Sequence, residues 1–213
     1  MTWCLYGHPK RQVSSEDEES QLDQFIPEYE VVERHGMRVA APVGIAFEAA
    51  CEMNLQQSAM VRAIFRTRAF VLGSEPEREA RPLGLVEQAR AWGWGVLAEN
   101  PGREIVFGGV TQPWLANPVF RALPPDDFRR FHEPGYVKIA WTLRADPIDT
   151  TKSLVRTETR VVSTDPSSRA KFRRYWSFVM PGIVLIRRMG LRLVKTEAER
   201  RACVAIAREN VSP

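Results

Sequence analysis

From Tyr136 to Arg144, Val137, Ile139, Trp141 and Leu143 alternate with Tyr136, Lys138, Ala140, Thr142 and Arg144. This is the two-residue period of a strand with one apolar face. Leu154 to Val162 repeats it, with Val155, Thr157, Thr159 and Val161 set against Leu154, Arg156, Glu158, Arg160 and Val162. A polar turn near Asp146-Pro147 and Asp149 joins the two runs into a hairpin whose apolar set faces inward. The period then changes. Asp165 supplies an N-cap and Pro166 fits the first helical position, where no N–H is needed. Phe172, Trp176, Val179, Ile183, Ile186, Gly190 and Leu193 follow at three- and four-residue spacing, which predicts a long helix with one apolar stripe. Arg169, Arg173, Arg174, Arg187, Arg188, Arg192 and Lys195 fall largely off that stripe. Pro181 predicts a kink near Val179 to Gly182. The apolar run Phe178 to Ile186 falls far short of the roughly 20 residues that cross a bilayer, so this is a packing helix.

Earlier in the chain, Glu28 to Ala41 alternates loosely through Val31, Met37 and Val39 and predicts a first strand, with Arg34-His35-Gly36 as a bend or bulge. Two short helices follow. One opens at Pro42 with Val43, Phe47 and Ala50 on a face; the other is capped by Ser58 and runs to Val71 through Met60, Ile64 and Phe65. Gly73 to Pro82 is a charged, proline-containing loop. Asn100-Pro101-Gly102-Arg103 has the chemistry of a type II turn between arms Trp94 to Glu99 and Glu104 to Val110. Thr111 to Pro134, with its many prolines, predicts a long irregular segment holding one short helix near Asp126 to Phe131, of the kind that serves as a lid or binding loop.

A chain of 213 residues is long enough for one filled core, and nothing in its middle reads as a linker. The expected organisation is an acidic, disordered segment over 1–24 and a single domain over 25–213. Ser14 to Ser20, rich in Glu and Asp, buries nothing. Cys4, Cys51 and Cys203 lack any pairing or metal-ligand spacing, and with no secretory signal this suggests a reducing, cytoplasmic setting. The net charge of +4 is unevenly laid out, because the first thirty residues are strongly acidic and the terminal helix is strongly basic. That basic face reads as solvated arginine covering apolar surface, with at most peripheral contact with an anionic membrane and no specific nucleic-acid binding.

Cofactor and metal signatures are weak. Gly93-Trp94-Gly95-Val96-Leu97-Ala98 matches a dinucleotide fingerprint as a string, yet Pro101-Gly102 turns the chain where the required helix would run. His8, His35 and His132 show no ligand spacing. Neither a cofactor nor a metal is expected. Glu99 and Glu104 would face each other across a two-residue turn, either as an acid/base pair or as a water-screened hairpin mouth beside Arg103. Arg156, Glu158 and Arg160 read as a charge ladder on a surface or sheet edge, with anion binding as the alternative.

The runs Gly93 to Trp114, Phe131 to Lys138, Arg156 to Val161 and Asp165 to Trp176, followed by Pro181-Gly182 and Ile186-Arg187, resemble a branch of the SRPBCC or START-like superfamily, which includes Bet v 1-like and polyketide cyclase-like proteins. The resemblance spans roughly residues 22–200. It implies an α+β helix-grip fold, in which a curved antiparallel sheet wraps a long C-terminal helix and two short helices follow the first strand. It also implies a cavity for a hydrophobic or amphipathic ligand such as a lipid, polyketide, quinone or sterol-like molecule. A minority of such proteins are enzymes of the cyclase, dehydrase or hydrolase type, and none of their catalytic residues maps onto this chain. Within such a cavity, Trp141, Trp176, Thr157 and Thr159 are the expected ligand contacts, with Ile139, Phe107, Val179 and Ile183 completing the lining. The same residues suit ordinary core packing. Because this inward set is almost uncharged, binding or transport is favoured over catalysis.

Overall fold

The computed structural model describes residues 3–6, 20–55, 58, 61–63, 66–67, 73 and 83–209. Six antiparallel strands form one sheet in the spatial order β1-β2-β6-β5-β4-β3. They are β1 (Trp3–Tyr6), β2 (Val31–Val39), β3 (Gly95–Asn100), β4 (Glu104–Thr111), β5 (Val137–Pro147) and β6 (Ser153–Ser163). Among the described residues, helices with complete bounds are α1 (Val43–Glu52), α2 (Leu85–Ala91), α3 (Pro125–Arg130) and α4 (Pro166–Glu209), and residues 61–63 and 66–67 are also helical. The sheet grips α4, which is the helix-grip architecture that the resemblance implies.

The helix begins where its sequence says it should. Asp165 Oδ1 accepts the backbone N–H of Ser168 at 2.9 Å, and Oδ2 accepts the Ser168 hydroxyl and the Gly135 N–H, both at 2.6 Å. One carboxylate thus ties the helix start to the segment leading into β5. Those hydrogen bonds, first to the Ser168 hydroxyl and then to backbone N–H groups, hold its pKa well below the usual carboxylate range. A carboxylate with a depressed folded pKa stabilises fully above its unfolded value of about 3.9 and loses that contribution as pH falls through the folded pKa. Asp165→Ala is therefore expected to lower Tm at neutral pH, with the gap from wild type closing under strong acid in melts followed by circular dichroism.

The helix of 44 residues runs unbroken through Pro181. Its inward stripe starts with Phe172 and Trp176 as anticipated, but past Gly190 the buried positions are Leu191, Val194, Ala198 and Ala202. Leu193, assigned to that stripe from the sequence, is exposed. The later half instead packs on α1, whose Ala46, Phe47, Ala49 and Ala50 are buried, much as the spacing of Phe47 and Ala50 predicts. Of the second predicted helix, Ser58 does cap its start, its Oγ accepting the Val61 N–H at 3.4 Å. Met60, Ile64, Phe65 and most of the loop from Gly73 to Pro82 lie outside the described residues.

Three expectations need correction. First, β2 is regular through Arg34-His35-Gly36, pairing without interruption from Val31↔Val161 to Val39↔Ser153, so the strand holds no bulge there. Second, the connection after β3 occupies residues 101–103, with Gly102 at a φ of 74° and the Arg103 N–H donating to Asn100 O at 3.0 Å. Asn100 therefore pairs with Glu104, and Glu99 with Ile105, which separates the two glutamates onto opposite faces. Third, Ser20 belongs to the folded body, and Leu22, in the 3-10 turn Gln21–Gln24, is fully buried. The acidic segment thus gives up its last residues to the core. β1, also inside that segment, pairs with β2 through Trp3↔Arg34 to Tyr6↔Val31.

Leu22, Phe25, Ile26 and Tyr29 explain the third correction. They cover the outer face of the sheet and form a second apolar layer with Val32, Leu97, Val106, Val110, Phe128 and Ala140. Gly108 makes room for it, since a Cβ there would come within 2.3 Å of Leu97 Cδ1. The charge ladder lies on this outer face and is paired throughout. Arg34 and Arg160 both donate to Glu158, Arg160 reaches Asp23, and Arg144 and Arg156 share Asp146. Glu104 sits there too, accepting hydroxyls from Ser20 at 3.1 Å and Thr142 at 3.0 Å.

Candidate functional site

The face of the sheet that meets α4 is set by register. Val31, Glu33, His35, Met37 and Val39 on β2 stand opposite Val161, Thr159, Thr157, Val155 and Ser153 on β6. The first four of these β6 residues, Val161, Thr159, Thr157 and Val155, pair in turn with Ile139, Trp141, Leu143 and Ala145 on β5, and Phe107 on β4 lies beside Trp141. Two apolar clusters occupy this face. Near the start of α4, Val31, Val137, Val161, Phe172 and Trp176 pack with Ile139, Val179, Met180 and Ile183. Towards its other end, Val39, Phe107, Trp141, Leu143, Ala145 and Val155 pack with α1, Leu191 and Val194.

Between the clusters runs a polar seam. Glu33 is 1% exposed and His35 5%, and His35 Nε2 lies 2.8 Å from Glu33 Oε1. From the helix, Arg187 donates to Thr157 Oγ1 at 3.4 Å and to Thr159 Oγ1 at 3.3 Å. Its guanidinium stands 5.1 Å over the Trp141 ring, which itself stacks on Phe107 with centroids 4.4 Å apart. Burial pushes the Arg187 pKa down, and the Glu33 carboxylate acts against that shift. Arginine nevertheless stays charged at any physiological pH. A cation and a carboxylate thus share an interior otherwise lined with Val, Ile, Leu and aromatic rings.

The seam is incompletely satisfied. A guanidinium carries five N–H donors, and the two threonine bonds are at the long end of hydrogen-bond range. Among the described residues, Glu33 Oε2 has no hydrogen-bond partner, nor has the buried indole N–H of Trp176. Buried polar atoms left without partners are uncommon and costly, and each one wants a reason. Here the unpartnered acceptor and the under-used donor lie in one seam.

The sequence-predicted contacts are divided by this arrangement. Thr157 and Thr159 lie in the seam, Trp141 and Phe107 form one wall, and Trp176, Ile139, Val179 and Ile183 belong to the cluster on the other side. Glu33, His35 and Arg187 were missed, although the signal was present. Glu33 and His35 share the parity of Val31, Met37 and Val39, and Arg187 lies four residues after Ile183 and four before Leu191. The premise of an almost uncharged interior is therefore wrong for this face.

A scan against protein-family models finds no match, and neither does a comparison with curated proteins. Solved structures do match. One is CalU16 from Micromonospora echinospora, at 13% identity and a TM-score of 0.27, over 81% of this chain and 86% of that one. A second is the aromatase/cyclase Zhui from Streptomyces sp. R1128, at 16% identity and 0.28, over 80% and 94%. A third is the di-domain ARO/CYC BexL from the BE-7585A biosynthetic pathway, at 14% and 0.29, where 79% of this chain spans 46% of that one. Identities and TM-scores this low assign neither activity nor ligand, and the helix-grip description rests on this chain's own topology. Among the described residues, no helix is long and apolar enough to cross a membrane, and no group of three or more His, Cys, Asp or Glu is placed to hold a metal ion. A groove of about 300 Å³ lined by Arg38, Val39, Ala40, Ile148, Asp149, Lys152 and Lys195 lies at the rim of the sheet and includes none of the seam residues.

Proposed function

We propose that the chain binds a small hydrophobic or amphipathic molecule between α4 and the sheet, its polar end at the seam and its apolar body against the flanking clusters. The carrying observation is the seam itself, in which the buried Glu33, His35, Thr157 and Thr159 meet the half-buried Arg187 in an otherwise apolar interior and Glu33 Oε2 is left without a partner among the described residues. Apolar burial supplies affinity in such sites, and a few polar groups fix orientation. Lipids, polyketides, quinones and sterol-like molecules all fit that description. Native mass spectrometry of protein purified from its source tests it directly: a retained apolar molecule is expected, released by organic solvent and displaced by an apolar fluorescent probe. A chain that emerges empty and takes up no such probe sinks the proposal.

The pair of Glu33 and Arg187 favours a second reading, in which the seam performs acid–base chemistry on an apolar substrate. Glu33 Oε2 is a buried acceptor oriented through Oε1 by His35, and a fixed guanidinium nearby is suited to developing negative charge on oxygen. Glu33→Gln discriminates the readings. A pure binder turns nothing over in either form, whereas an enzyme of this kind loses its turnover in the variant while still binding substrate.

A further inference from the structure

We infer that the polar end of the ligand is a neutral hydroxyl, an alcohol or a phenol, and not a carboxylate. This rests on the proposed binding at the seam and narrows its ligand class. Arg187 on its own would suggest an acidic guest, because guanidinium groups pair well with carboxylates. The seam, however, already holds its anion. Glu33 is essentially inaccessible to water and lies within electrostatic reach of Arg187. A carboxylate guest would place a second negative charge beside Glu33 in a poorly solvated interior, where like charges repel strongly.

Hydrogen-bond accounting points the same way. Glu33 Oε2 is an acceptor without a donor, and Arg187 has donors in excess of the two threonine oxygens it reaches. A carbonyl or ether oxygen would engage Arg187 and leave Glu33 Oε2 bare, while an ammonium would do the reverse and add a positive charge. An O–H both donates and accepts, so one oxygen satisfies both groups and leaves the charge of the seam unchanged. The face of Trp141, stacked on Phe107, offers an aromatic or other flat body a wall next to that hydroxyl.

The test compares naphthalene, 2-naphthol and 2-naphthoate for binding to the full chain at neutral pH, by calorimetry or intrinsic fluorescence. At that pH 2-naphthol is neutral and 2-naphthoate is charged. The expected order has 2-naphthol tightest, by about tenfold or more over 2-naphthoate, the scale of one well-made buried hydrogen bond. Equal or tighter binding of 2-naphthoate overturns the hydroxyl assignment and leaves binding at the seam standing, whereas failure of all three to bind overturns both. Glu33→Gln then leaves Arg187 without its anion, and 2-naphthoate should gain while 2-naphthol loses; an unchanged ranking overturns the inference. Arg187→Lys keeps the positive charge but removes the guanidinium fork, and gives a second readout should Glu33→Gln fail to fold. In it, 2-naphthol should weaken while naphthalene is unaffected, and undiminished 2-naphthol affinity counts against the inference.

Discussion

Arg187→Met is expected to destabilise the chain by about 1–3 kcal/mol, the scale of leaving a buried charged group without the neighbour that compensates it. The thioether fills much of the volume, so packing is not the main loss. What remains is Glu33, buried and bonded only to His35 in the seam, without the cation that offsets its charge. Glu33→Gln introduced into the Arg187→Met background should recover most of the loss, because it removes the stranded charge. A double-mutant cycle in urea therefore ought to give a coupling energy of about 1–3 kcal/mol. Additive single effects would show that Glu33 and Arg187 do not sense each other, and the seam would then be two unrelated polar contacts.

The framework was legible because it depends on local chemistry. Asp165 and Pro166 mark the start of α4 by their own side chains, and the pattern of Val137 to Leu143 against Val155 to Val161 fixes which face of the hairpin turns inward. The seam was not, for a physical reason. A stripe built from apolar residues alone takes in Ile186 and passes over Arg187, to which helical geometry offers an inward place as well. A bend expected at Arg34-His35-Gly36 likewise hides the inward parity of His35, which the regular pairing of β2 restores. The period of the element is more informative here than the polarity of any one position: once Ile183 and Leu191 are on the stripe, residue 187 is inward whatever it is. A buried charge breaks the local rule, and functional sites are where such breaks are expected.

The outer layer escaped detection for a different reason. Arg156, Glu158 and Arg160 look like a solvated strand face, and in isolation they would be one. They are covered only because Leu22, Phe25, Ile26 and Tyr29 fold back from a segment whose sequence neighbours are acidic and polar, and the covering works because each charge finds a partner. Arg160 donates to Asp23 and to the Ile26 carbonyl, and its guanidinium lies 4.8 Å over the Tyr29 ring. The register of Glu99 and Glu104 failed by a single residue in the turn. In a strand, that is enough to move a side chain to the other face.

Trp141→Ala should show the largest loss of any substitution at the site, about 3–5 kcal/mol in chemical denaturation, as expected for truncating a buried indole. Trp141 is 5% exposed, stacks on Phe107, meets Trp94 edge-on at 6.0 Å and carries Arg187 on its open face. Removing it takes out a wall of one cluster and the platform beneath the cation at once. Trp141→Phe separates the two roles. Phenylalanine keeps a ring against Phe107 and leaves a smaller void, so it should fold with a loss of about 1–2 kcal/mol while offering Arg187 a weaker π surface. Probe affinity in Trp141→Phe is then the informative quantity. If the seam and the Trp141 wall together form the ligand site, affinity drops in this folded variant, and it drops more for 2-naphthol, held next to Arg187, than for naphthalene. If Trp141→Phe binds both probes as wild type does, Trp141 is a packing residue. The ligand wall must then be sought in the cluster of Trp176, Ile139, Val179 and Ile183, where the unpartnered indole N–H of Trp176 supplies the next group to substitute.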